Sequence, residues 1–134
     1  MADVVFYEKP GCVNNTKQKQ ILKASGHRVI ARNILLAPWT STRLMAFFNG
    51  LPVFEWFNSN APQVTSGEVN PGTVVGGRAL FLMLENPILI RRPLMEIGEN
   101  KLVGFVPEDI QSLIALSVDT ANGKILEQCP SAEF

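Results

Sequence analysis

The chain begins with a short apolar run, Asp3-Val4-Val5-Phe6-Tyr7, which Pro10-Gly11 brings to a stop. A compact apolar stretch closed by turn-forming residues predicts a buried strand. From Cys12 to Ser25, Ile21, Leu22 and Ala24 supply one apolar side, and Gly26 follows. That spacing predicts a helix, with Asn14 or Asn15 capping its first amides and Gly26 ending it. His27 to Asn33 alternates in part and contains Val29 and Ile30, which predicts a second strand. A strand–helix–strand unit of this size implies two parallel strands joined by a right-handed crossover.

The middle of the chain reads as helices and loops. Pro38-Trp39-Thr40-Ser41 opens a helix that runs through Arg43 to Phe48 and ends at Asn49-Gly50. Pro52 to Phe57 predicts another short helix, and Asn58 to Gly77, rich in Asn, Ser, Pro and Gly, predicts mostly loop. A further helix starts at Val74 or Arg78 and reaches Leu84. Pro87 to Ile97 contains a strand, Gly98-Glu99-Asn100 a turn, and Lys101 to Phe105 a strand that pairs back as a hairpin. Pro107-Glu108-Asp109-Ile110 puts proline and acids in a first helical turn, predicting a helix to about Leu116. The order βαβ, then helices, then ββα describes a thioredoxin-like α/β domain with a helical insertion. It occupies residues 1–118 and leaves 119–134 as a C-terminal tail.

Composition narrows the partners. The 134 residues fit one domain, and a hydrophobic share of 46% suits a buried core rather than a disordered chain. Twelve Lys and Arg balance twelve Asp and Glu. No basic excess draws nucleic acid or anionic lipid, so neither is expected as a partner. The most apolar windows, Ala79–Leu84 and Pro87–Ile90, fall well short of the roughly 18 residues that span a membrane. With no signal-peptide pattern at the start, a soluble, cytoplasmic protein is expected. Two cysteines, Cys12 and Cys129, cannot build a disulfide framework. With the single His27 they show no metal-ligand spacing, and no zinc site is expected.

Cys12 is the candidate for chemistry. It falls where the first strand turns into the first helix, and unpaired amides at a helix N-terminus favour a thiolate. This predicts a solvent-reachable thiol, against the plainer reading of a small residue packed into a turn. Asn15 stands where a dithiol CxxC pair would need its second cysteine, so that chemistry is excluded. Gln18 stands where a phosphatase-type loop needs its arginine. Cys129 reads as an incidental tail cysteine more simply than as a distant resolving thiol. Trp39, Phe47, Phe48, Trp56 and Phe57 lie at helical spacings that predict core or a partner surface.

Two separated motifs then coincide. Tyr7-x-x-Pro10-x-Cys12, together with Asn86-Pro87-Ile88-Leu89-Ile90-Arg91-Arg92-Pro93 and the glycine-containing hairpin after it, resembles the arsenate reductase–Spx family over roughly Val4 to Leu116. Glu8 to Cys12, Glu55 to Asn58, Ser66 to Val69 and Leu89 to Leu94 are most similar to its branch of nitrogenase-associated proteins. The resemblance implies a site of Cys12, with Arg92, Pro93, Arg91, Asn14 and Asn15 as substrate-binding residues. Arg92 would be the arginine that meets an oxyanion or a glutathione carboxylate, for which a guanidinium fork is suited. Pro93 would be the cis-proline that faces the cysteine. Alternation along a strand would send Arg91 and Arg92 to opposite faces, so at most one points at Cys12. No bound cofactor is implied. Glutathione enters only as a thiol co-substrate, and glutaredoxin and nitrogen-fixation proteins are the implied partners.

Four departures weigh against the parent reaction. Glu8 stands where the reductases carry a histidine, and Thr16, Asn58 and Gly104 stand at or near positions of their arginines. A carboxylate facing the thiol would oppose both thiolate formation and arsenate binding. An accessory or binding role in nitrogen-fixation or cofactor metabolism, with one thiol site, therefore ranks first. The alternative is a monothiol oxidoreductase coupled to glutathione or glutaredoxin. An Spx-like regulator of RNA polymerase ranks last, because the CxxC pair common in that group is absent.

Overall fold

In the computed structural model of the chain, residues 2–116 are described. Strand β1 (Asp3–Glu8), helix α1 (Val13–Ala24) and strand β2 (Arg28–Asn33) form the opening unit. Helix α2 (Ser41–Phe48), a 3-10 turn at Val53–Trp56, the short helix α3 (Pro62–Thr65) and helix α4 (Gly76–Glu85) make the insertion. A second 3-10 turn (Pro87–Leu89) leads into the hairpin β3 (Leu94–Ile97) and β4 (Asn100–Val103), and α5 (Pro107–Gln111) follows.

The strands form one sheet in the order β2-β1-β3-β4. β1 and β2 are parallel, with Glu8 beside Asn33. β1 and β3 run antiparallel, with Tyr7 opposite Leu94, and β3 pairs antiparallel with β4 through Leu94 and Val103. This mixed sheet with its helices is the expected thioredoxin-like arrangement.

Strand alternation divides the core in two. Tyr7, Leu94 and Val103 face a layer built from Leu44, Phe47 and Phe48 of α2, Trp56, and Ala79 and Met83 of α4. Val4, Phe6, Met95 and Ile97 face the opposite layer, with Leu22 of α1, Phe105 and Ile110 of α5. The helical insertion thus covers one face and α1 with α5 the other. Phe48 and Trp56 stack at 4.8 Å with their planes 8° apart, and Phe47, Phe48, Trp56 and Phe57 are core residues.

Several expectations need correction. Cys12, not Asn14 or Asn15, is the N-cap of α1, because the Pro10-Gly11 turn delays the first helical residue to Val13. Within Pro87–Ile97 the expected strand is β3 at Leu94–Ile97, and the stretch before it opens with a 3-10 turn, closed by Leu89 N–H to Asn86 O and Ile90 N–H to Pro87 O. Strand pairing begins only at Leu94. The loop from Asn58 holds the single turn α3, whose proline sits at its start. α5 ends at Gln111, short of Leu116. The tail 119–134, with Cys129, lies outside the described residues. Among the described residues no helix is long and apolar enough to cross a membrane.

His27 ties the start of β1 to the end of the described chain. Its Nδ1 accepts the Ala2 amide at 3.1 Å, and its Nε2 bonds the Ala115 carbonyl. Removing both bonds from this buried ring in His27→Ala is expected to cost about 1–3 kcal/mol, read as a lower urea midpoint with an unchanged slope.

Candidate functional site

Glu8 ends β1, and the chain turns through Lys9–Gly11, with Cys12 N–H donating to Lys9 O at 3.1 Å. Gly11 takes φ +84°, a conformation L side chains rarely adopt, which is why a glycine serves here. The turn delivers Cys12 to the N-cap of α1, where its sulfur accepts the Asn15 amide at 3.4 Å. A helix amide aimed at sulfur stabilises negative charge there. No acid occupies the first turn of α1.

The surrounding polar groups hold the turn rigid. Asn15 is fully buried; its Oδ1 accepts the Lys9 amide at 3.2 Å and its Nδ2 donates to Gln18 Oε1 at 2.9 Å. The Thr16 hydroxyl donates to Cys12 O at 3.0 Å. Asn15 therefore braces the cysteine loop with its side chain and meets the sulfur with its backbone. Asn14, the second residue of α1, is also buried.

Strand register brings the second motif to the same place. With Tyr7 opposite Leu94, Pro93 lies beside the Glu8 end of β1, at the edge from which the cysteine turn departs. The Arg92–Pro93 peptide bond is cis, as the resemblance implies. Pro93 O accepts the Gly104 amide at 2.8 Å, so the proline is fixed between β1 and β4. Arg92 is fully buried. Arg91 turns to the insertion: its amide donates to Trp56 O at 2.9 Å and its Nη1 to Glu55 O at 3.2 Å. Strand alternation does not apply to the two arginines, because β3 begins only at Leu94 and both precede it.

Cys12 is not the reachable free thiol expected from sequence. It has no exposed surface and is disulfide-bonded. The pattern at a strand–helix turn does not distinguish a reachable thiol from a packed one. The site as it stands can undergo thiol–disulfide exchange, and it presents a thiolate only after reduction.

The four departing positions each have a local role. Lys19 of α1 places its Nζ 2.9 Å from both Glu8 carboxylate oxygens, so Glu8 meets the site as half of an ion pair. Thr16 is bonded to Cys12 O. Asn58 is fully buried, donating from its amide to Leu89 O at 2.8 Å and from Nδ2 to Ile88 O at 3.1 Å, while its Oδ1 accepts the Asn60 amide. Gly104 has φ +78°. The sequence pattern does not single out Lys19 as the partner of Glu8, or Gln18 as the partner of Asn15. The available signal is their position on the part of α1 that follows Asn15.

Comparison with known proteins bears on the family and the fold. The ArsC family model matches residues 14–113. An uncharacterized 15.7 kDa protein in the draG 3' region of Rhodospirillum rubrum is 47% identical over 131 residues, covering 98% of this chain and 90% of that protein. Among solved structures, an ArsC family related protein from Bacteroides fragilis superposes with a TM-score of 0.72 at 27% identity. The match covers 83% of this chain and 98% of that one. Arsenate reductase from Vibrio cholerae gives a TM-score of 0.71 at 19% identity, over 84% of this chain and 98% of that one, a likeness of fold.

Proposed function

The chain belongs to the ArsC family, and from that premise we propose an accessory or binding protein whose single chemical group is a thiol–disulfide site at Cys12. The observation that carries this reading is the occupation of positions 8, 16, 58 and 104. An ion-paired Glu8, a backbone-bonded Thr16, a loop-bridging Asn58 and a glycine at positive φ leave none of these positions to supply a cation. Arsenate, a tetrahedral oxyanion, needs such cations to offset its charge near a thiolate. Assignment to nitrogen fixation or cofactor metabolism rests on the motif likeness to nitrogenase-associated proteins. The Rhodospirillum rubrum relative, named for its place in the draG 3' region, is in keeping with it.

A second reading, a monothiol oxidoreductase using glutathione or glutaredoxin, is favoured by the Asn15 amide on the Cys12 sulfur. In that chemistry an incoming thiolate attacks the disulfide; one S–S bond forms as one breaks, and a sulfur leaves as thiolate. A second thiol then resolves the mixed disulfide. Two thiols are oxidised, one disulfide is reduced, and the proton count is unchanged overall.

Arsenate turnover separates the readings from the parent activity. With glutathione, glutaredoxin and a reductant present, the expected rate does not exceed the rate of the same mixture without the protein. Saturable arsenate reduction lost in Cys12→Ser would overturn the accessory reading. Stable capture of a nitrogen-fixation protein by reduced wild type and Cys12→Ser alike would support it.

A further inference from the structure

The carboxyl ends of parallel strands are where open α/β sheets bind ligands, and the parallel pair here ends at Glu8 and Asn33. Beyond that edge, on the face opposite α1, lies a cavity of about 300 Å³ that the thiol chemistry does not use. Tyr7, Arg32, Asn33, Leu36, Pro38 and Arg43 form its principal walls, and no carboxylate side chain lines it.

Arg43 is held in place. Its Nη1 donates to Pro38 O at 2.8 Å, its Nη2 to the Tyr7 hydroxyl at 3.0 Å, and its guanidinium lies 4.9 Å from the Trp39 ring centroid. Trp39 is itself anchored by Nε1–H to Ile34 O at 2.8 Å and packs on Tyr7 at 4.8 Å. Arg32, from the end of β2, donates to the Ala31 carbonyl at 3.3 Å. Among the described residues neither guanidinium is paired with an acid. Asn33 spends its Oδ1 on the Leu35 amide at 2.9 Å. Tyr7, having accepted from Arg43, retains its hydroxyl proton as a donor. The polar lining therefore offers donors and positive charge, beside the apolar wall of Leu36, which is 80% exposed.

The geometry points to a binding site for a small organic anion, distinct from the Cys12 site. Its oxyanion head, carboxylate or phosphate, is received by Arg32 and the pre-positioned Arg43, and its apolar body lies along Leu36 and Pro38. A guanidinium fixed by a carbonyl, a hydroxyl and an indole loses little freedom on binding, which favours recognition over a freely moving surface arginine. The site does not depend on the state of Cys12, so it stands apart from the proposed function.

The test is titration of the full chain with butyrate and, separately, inorganic phosphate at constant ionic strength, read by 1H–15N NMR. Saturable shifts centred on the Asn33 side-chain amide and the Arg43 Nε–H are expected for at least one anion, in oxidised and reduced protein alike. Arg43→Gln is expected to weaken binding at least about tenfold, as loss of a charged hydrogen bond would. Arg32→Gln, at an exposed position that does not endanger folding, is expected to weaken it severalfold. Shifts that rise linearly without saturation for both anions would overturn the proposal. So would saturation that is unchanged in Arg32→Gln.

Discussion

Cys12→Ser is expected to remain folded and to lose thiol–disulfide exchange at this position completely. The measurement is formation of a mixed disulfide with glutathione disulfide after reduction, followed by intact mass and peptide mapping. Wild type acquires the adduct at Cys12; in Cys12→Ser that adduct does not form. A second readout concerns stability. Under reducing conditions wild type and variant should unfold at nearly the same denaturant concentration, since serine replaces the N-cap acceptor.

Asn58→Ala has the largest effect expected from a residue without reactive chemistry. The side chain is fully buried, donates to Ile88 O and accepts from the Asn60 amide. Alanine leaves both backbone groups without that partner, and each buried group so orphaned costs about 1–3 kcal/mol. A loss of about 2–4 kcal/mol is expected in chemical denaturation, a large share of the total for a domain of this size. Asn58→Arg should be no milder, since the fully buried position would have to take a longer, charged side chain. If Asn58→Arg instead folds normally and confers arsenate turnover, the position is a deleted cation site and no structural bridge.

Much of this is readable from sequence because the early signals are local. The apolar run at Val4–Tyr7 and the Gly26 stop fix β1 and α1 by rules that involve only neighbours. That the cysteine turn and the proline motif meet is implied by the family resemblance and not by such local rules. Between Pro87 and Ile97 local pattern places a strand but not its start, because Ile88, Leu89 and Ile90 are as apolar as Leu94, Met95 and Ile97. The Asn86 and Pro87 carbonyls instead capture the following amides, and Leu89 and Ile90 are buried by packing on the insertion face. Position 58 is visible only as a mismatch. It bonds Leu89 and Ile88, far along the chain, as well as the nearby Asn60 and Ala61. The Arg32–Arg43 cavity is invisible for a similar reason, since one arginine ends a strand and the other lies on α2.

The pairing of Tyr7 with Leu94 has a consequence for how the protein is made. β1 is synthesised among the first residues, yet the strand beside it in the sheet arrives near the end of the described chain. Ladders joined across such separations close late, because chain entropy must be given up before the contact forms. Emergence from the ribosome is N-terminal first. The βαβ unit is therefore made well before Leu94 can stand beside Tyr7. During that interval the β3 side of β1 keeps its amides and carbonyls without their sheet partners, open to any other strand. Completion of β3 ends that exposure, so the length of the insertion sets how long a nascent chain must be protected.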